Sequence, residues 1–214
     1  MTQKIHPAKL YIFDIDGTIL DSMPAWEHLG RNYLISKNIT PPEHFEQDID
    51  AMTLEESAAY FQTLGLKEDI SDIIDGVMSL IRDSYHYTIP AKPGMISLIT
   101  DLSKKADSTL CILTTSTRDC AIKAMTRLGI KDFFADIHTG EELQLSKRNP
   151  KIYKKVCEIY HTPPHEAVVF EDALYAVRSA HAAGCYVYGV YDESNKKDWK
   201  EIQRISHQTL KHIY

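Results

Sequence analysis

The chain has no excess of basic residues, no closely spaced cysteines and no long apolar run. Its 24 lysines and arginines are outnumbered by 30 aspartates and glutamates, for a formal net charge of −6. That balance argues against nucleic acid or an anionic membrane surface as the main partner, since both attract cationic patches. Cys111, Cys120, Cys157 and Cys185 include no Cys-x-x-Cys pair. They read as reduced, small core residues of a cytosolic protein. No apolar stretch reaches the ~20 residues that a membrane-spanning helix needs. Met1-Thr2-Gln3-Lys4 opens no secretory signal. Internal repeats and low-complexity tracts are also lacking.

What is present is an ordinary globular composition, 43% hydrophobic and 25% charged, over 214 residues. The length suits one large domain, or a domain carrying a smaller insertion. The most informative stretch is Leu10-Tyr11-Ile12-Phe13-Asp14-Ile15-Asp16-Gly17-Thr18. Its apolar start reads as a short buried strand. Two carboxylates follow, two residues apart, and then Gly17, at which the chain is expected to leave the strand. A carboxylate pair at the end of a buried strand suits one group acting as nucleophile while its neighbour handles protons. Asp-x-Asp-Gly also opens calcium loops and simple turns. A calcium loop needs further oxygen ligands and a late Glu, whereas Thr18-Ile19-Leu20 follows here.

From about residue 20 to 88 the pattern is helical only. Asp21-Ser22 can begin a helix, with Pro24 in its first turn and Trp26, Leu29, Tyr33 and Leu34 on one apolar face, Trp26 read as core. Thr40-Pro41-Pro42 ends that pattern. Thr53-Leu54-Glu55-Glu56 has the form of a capping box, and Ser71 can cap a helix through Ile81. After the turn-rich Ile89–Gly94, strands and helices alternate. Strands are expected at Leu110–Leu113, Phe133–Ile137, Ala167–Phe170 and Cys185–Val190, with helices between them. This alternation predicts a parallel sheet covered on both faces, with Leu10–Phe13 as one of its strands.

Three more chemical sites fall at strand ends or helix starts. Thr115 and Ser116 follow the second strand, where they can seat a phosphate or simply cap the next helix. Lys147 lies in the loop Leu145–Pro150 ahead of a helix, a place where a lysine is usually solvated. Glu171-Asp172 ends the fourth strand, as a ligand pair or as a cap for the following helix. Taken together, carboxylates, hydroxyls and one lysine at one sheet edge can hold a hard dication and a phosphoryl group at once.

These four segments, with Ala182-Ala183-Gly184 after the last, resemble the four motifs of the haloacid dehalogenase superfamily, over nearly the whole chain. The resemblance implies a Rossmann-like α/β core at residues 1–19 and 89–214, with a small helical cap domain inserted at 20–88. Such caps occur in phosphoglycolate-phosphatase-like and β-phosphoglucomutase-like members. It implies that Asp14 is the nucleophile forming an aspartyl-phosphate and Asp16 the acid/base, with its carbonyl on a metal. Thr115 and the Ser116 amide would hold phosphate, Thr115 rather than Thr114 because Thr114 stays in the strand register. Lys147 would neutralise charge on Asp14 and the phosphoryl oxygens. Asp172 would bind Mg²⁺, with Glu171 as a second candidate, directly or through water.

The implied activity is a Mg²⁺-dependent phosphatase of a small phosphorylated metabolite, or alternatively a phosphomutase that uses the same core. The implied setting is cytoplasmic, without nucleic acid or membrane, as a monomer or weak homodimer. Cap candidates for substrate contact are Trp26, Glu27, Arg31 and the loop near Met52-Thr53. The chain departs from the family at Arg148-Asn149, where many relatives have Pro after the lysine, and at Ala173 and Ala176. Arg148 is expected to face water.

Overall fold

The computed structural model describes residues 5–50 and 52–211. The opening residues Met1–Lys4, read above for a secretory signal, lie outside them. The chain forms two compact units, Met1–Asp21 with Pro90–Tyr214, and Ser22–Ile89.

The Ser22–Ile89 unit is helical: α1 (Met23–Glu27), α2 (Leu29–Ser36), α3 (Phe45–Ile49), α4 (Leu54–Thr63) and α5 (Ile70–Tyr87). The single helix expected through Trp26 and Leu34 is two helices, parted at His28, whose φ of −98° and ψ of 10° are not helical. The capping box at the start of α4 forms in full. Thr53 Oγ1 accepts from the Glu56 N–H at 3.2 Å, and Glu56 Oε2 accepts from the Thr53 N–H at 2.7 Å. The last helix starts at Ile70 after Asp69, ahead of the expected Ser71 cap. Leu29, Tyr33, Leu34, Phe45, Phe61, Ile73, Val77, Ile81 and Tyr85 are buried at helical spacing. Trp26, expected in that core, is 37% exposed; its indole N–H donates to Tyr85 Oη at 3.0 Å. A ring with a polar tip settles at the edge of a core more readily than at its centre.

The other unit is built on six parallel strands: β1 (Leu10–Phe13), β2 (Thr109–Thr114), β3 (Ile137–Thr139), β4 (Ala167–Glu171), β5 (Tyr186–Val190) and β6 (Gln208–Leu210). Their order is β3-β2-β1-β4-β5-β6. Six helices connect them: α6 (Met95–Ser103), α7 (Arg118–Arg127), α8 (Gly140–Leu143), α9 (Lys151–Ile159), α10 (Leu174–Ala183) and α11 (Trp199–Ile205). Alternate residues of β1 serve opposite faces. Leu10 and Ile12 pack with Val156, Val177 and Ile202 from the helices. Tyr11 and Phe13 join a run of rings with Phe170 and Tyr188, Phe13 stacking on Phe170 with centroids 4.4 Å apart. Burying each such ring stabilises the fold by about 1.5–3 kcal/mol.

The third strand lies later than expected: Lys131–Phe133 is a 3₁₀ turn and the strand begins at Ile137. Phe134 is buried from a loop instead, edge-on to Phe13 at 5.9 Å. Its apolarity serves the core, not the ladder. All four cysteines are buried free thiols. Among the described residues no helix is long and apolar enough to cross a membrane.

The strand order fixes where chemistry can sit. From β1 the chain moves outward through β2 to β3, then returns to the other side of β1 and moves outward again from β4. The order reverses between β1 and β4, and open α/β sheets hold ligands beyond the strands' carboxyl ends at such a reversal.

Candidate active site

Asp14 follows β1 directly, and its N–H extends the ladder by one bond to Phe170 O at 3.0 Å. That register sets it beside the end of β4, where Glu171 and Asp172 stand. The chain then turns sharply: Ile15 O accepts from the N–H groups of Ile19 and Leu20 at 2.9 and 2.8 Å. Gly17 makes this turn at a φ of +75°, and a Cβ there would meet Asp172 Oδ2 at 2.4 Å. Only glycine satisfies both the backbone angle and the close approach.

Lys147, in the loop before α9, is buried, with 2% of its side chain exposed. Its ammonium lies 2.6 Å from Asp14 Oδ1 and 2.5 Å from Glu171 Oε2. It is therefore not the solvated lysine that loops usually carry. Glu171 is fully engaged. Oε2 meets Lys147 and the Tyr153 hydroxyl, and Oε1 accepts from the backbone N–H groups of Asp172 and Ala173 at 3.2 and 3.1 Å. It thus braces the turn that leads into α10 while holding the lysine, and α10 itself has no side-chain cap. Asp172, also buried, accepts from Thr18 Oγ1 at 3.3 Å and from Asn195 Nδ2 at 2.6 Å.

The electrostatics follow from this inventory. Three buried carboxyl groups face one ammonium, so the fully ionised cluster would carry excess negative charge in a poorly solvated place. Burial pushes the Asp14 carboxyl up to about 8; the Glu171 carboxylate adds to the rise and Lys147 opposes it. Burial, then Glu171 and Asp14, likewise push Asp172 well above the ordinary carboxylate range. Burial alone would lower the Lys147 ammonium, but Asp14 and Glu171 outweigh it and hold that group well above the usual lysine value. Carboxylate oxygens of Asp14, Glu171 and Asp172 lie within 4.8 Å of one another. An all-oxygen donor set with unbalanced negative charge fits a hard divalent cation. Asp14 and Asp172 retain more open oxygen lone pairs than Glu171 does, which favours them as direct ligands.

The remaining expected residues are distributed as follows. Asp16 Oδ2 accepts from the Ser116 hydroxyl at 2.5 Å, which ties the first turn to the loop after β2. The Ser116 N–H donates to Thr114 Oγ1 at 3.0 Å. Thr115 is exposed just past β2, whereas Thr114 is buried within it. Thr117, not Thr115 or Ser116, caps α7. Arg148 is exposed, as expected, yet it is stacked: its guanidinium carbon lies 4.2 Å from the centroid of the Tyr175 ring. Of the residues named in the helical unit, Arg31 pairs with Glu46 and donates to Pro42 O at 3.1 Å, and Thr53 caps α4.

Three residues at this edge were not singled out from sequence: Lys92, Asp192 and Asn195. Lys92 donates to Gly17 O, Tyr191 O and Asp192 Oδ2 at 2.8, 2.6 and 2.7 Å. Asp192 stands two residues past β5, so the strand-end rule could have flagged it. Nothing local marked Lys92 or Asn195.

Comparison with known proteins agrees with this fold. The family model described as haloacid dehalogenase-like hydrolase matches residues 11–190, a span that runs from β1 to the end of β5. Hexitol phosphatase A of Escherichia coli K12 is 29% identical over 203 residues, covering 93% of this chain and 90% of that protein. Phosphoglycolate phosphatase of Nitrosospira multiformis is 26% identical, covering 92% and 89%. The crystal structure of a candidate β-phosphoglucomutase from Thermotoga maritima superimposes with a TM-score of 0.82 at 23% identity, over 95% of this chain and 94% of that one. With the family model spanning most of its length and its acidic residues gathered where the sheet reverses, the chain belongs to the haloacid dehalogenase-like hydrolases.

Proposed function

We propose that the chain is a Mg²⁺-dependent phosphatase of small phosphorylated carbohydrates or polyols, acting through a phosphoryl group carried on Asp14. The observation that carries this reading is the buried Lys147–Asp14 contact beside Asp172 at the sheet's reversal point. The substrate class follows that of the relative named hexitol phosphatase A. Asp14, Asp172 and the Asp16 backbone carbonyl would hold the cation. Bound there, it supplies positive charge that offsets the repulsion between Asp14 and the phosphate.

In the first step an Asp14 oxygen attacks phosphorus. The bond from phosphorus to the ester oxygen breaks, and Asp16 gives that oxygen its proton. In the second step water attacks the same phosphorus, Asp16 takes the water's proton, and Asp14 leaves with its original bonds. Lys147 stabilises charge on Asp14 and on the transferring oxygens in both steps. Thr115 and Ser116 are assigned to the phosphoryl oxygens, Ser116 also orienting Asp16. The helical unit is assigned as the cap that selects the leaving group, in a cytoplasmic enzyme that works on free metabolites.

The test is phosphate release from a panel of sugar and polyol phosphates with Mg²⁺, comparing the native chain with Asp14→Asn. Release is expected to fall by ~10³-fold or more, the scale of losing a covalent nucleophile. Hydrolysis that survives Asp14→Asn removes the reading. Formation of an isomeric phosphate with a requirement for a bisphosphate activator would replace it with a phosphomutase.

A further inference from the structure

Asp172 is held by a part of the chain that supplies none of the other acidic groups. Asn195 closes a one-turn 3₁₀ helix, Glu193–Asn195, beyond β5, and its Nδ2 donates to Asp172 Oδ2 at 2.6 Å. The amide presents its nitrogen here, and Asp172 Oδ2 accepts. This donor is neutral. It fixes the rotation of the Asp172 carboxylate without cancelling its charge, as a lysine at the same place would.

The turn that carries Asn195 is itself anchored. Asp192 Oδ1 accepts from the Ser194 N–H at 2.9 Å and from Ser194 Oγ at 2.6 Å. Asp192 Oδ2 pairs with the Lys92 ammonium at 2.7 Å. Lys92, with 15% of its side chain exposed, spends its other two donors on Tyr191 O and Gly17 O. One largely buried ammonium therefore joins the loop after β5 to the turn that follows Asp16. Gly17 in turn lies against Asp172, so the contacts close into a ring: Gly17, Lys92, Asp192, Ser194, Asn195, Asp172. No member of this ring other than Asp172 belongs to the Asp14–Glu171–Asp172 group.

We propose that Asn195 is a positioning residue for cation binding. It sets the orientation of the Asp172 carboxylate, and the Lys92–Asp192 ion pair locks the turn from which it reaches. The inference rests on the reading of Asp172 as a metal ligand given above. Partners that orient a metal-binding side chain are typically worth about 10–100-fold in metal affinity.

The experiment is calorimetric titration of Mg²⁺ into the metal-free full-length chain, at a temperature where circular dichroism shows each variant folded. The variants are Asn195→Ala, Lys92→Met and Asp172→Asn. Asn195→Ala is expected to raise the Mg²⁺ Kd by about 10–100-fold while the metal-free Tm stays within a few degrees of the native value. Lys92→Met is expected to raise Kd in the same direction and to lower Tm as well. An Asn195→Ala Kd within twofold of the native one, with binding lost in Asp172→Asn, overturns the positioning role and leaves the proposed function standing. Native-like binding in Asp172→Asn overturns both.

Discussion

The two units of the chain place their polar groups in opposite ways. Within Ser22–Ile89 the buried residues are apolar apart from Ser22 among those described, and the ion pairs Lys37–Glu68 and Arg31–Glu46 are exposed or half-buried. In the sheet unit Asp14, Lys147, Glu171, Asp172 and Asp192 are all buried, gathered at or beyond the carboxyl ends of β1, β4 and β5 or in the loop before α9. Burying charges this way is costly, and a well-packed apolar set would generally be as stable or more so. A fold keeps such a cluster when it has to hold charge in place. The helical unit shows what the same chain does when packing alone is required. The contrast shows which residues answer to stability and which to chemistry.

That contrast can be tested from the packing side first. Phe61 is buried in the helical unit, tilted against Phe45 with ring centroids 5.5 Å apart. Phe61→Ala is expected to destabilise that unit by about 3–5 kcal/mol, read by chemical denaturation. Mg²⁺ affinity should stay at its native value; a parallel loss of affinity would break the division drawn here. A smaller loss is expected from Thr53→Ala, which removes one half of the capping box. It should cost about 1 kcal/mol, again with no change in Mg²⁺ affinity.

The smallest effect concerns pH. Burial would raise the Asp192 carboxyl, but its hydrogen bonds to Lys92 and Ser194 outweigh that and leave it below the ordinary range. The charged groups facing it are Lys92 and, more remotely, Asp172. A carboxyl held low when folded contributes stability above its unfolded pKa, near 3.9. That contribution is lost as pH falls through the folded value. Tm measured from pH 5 downward should therefore fall less steeply in Asp192→Asn than in the native chain. An unchanged slope would place the Lys92–Asp192 pair with the surface pairs instead.

Much of the fold was legible because its signals are local. β1 is a four-residue apolar run followed directly by a carboxylate, the pattern of a strand in a sheet covered on both faces. The Thr53–Glu56 box specified its own helix start. Where the reading slipped, tertiary packing had overridden a local preference. Phe133-Phe134 has strand composition, but Phe134 was recruited edge-on to Phe13, and the strand formed later, at Ile137. Trp26 has the spacing of a core residue, but its indole N–H drew it to the Tyr85 hydroxyl at the rim.

The sequence by itself determined which chemical groups the chain carries and that each stands at the end of a strand or the start of a helix, because those preferences act over a few residues. The family resemblance already paired Lys147 with Asp14, a contact made across 133 positions, but only the tertiary structure decided that Asn195 and Lys92 brace Asp172 and Gly17. Such contacts follow from strand order and register, which arise from packing the whole sheet and leave no mark in any short stretch of chain.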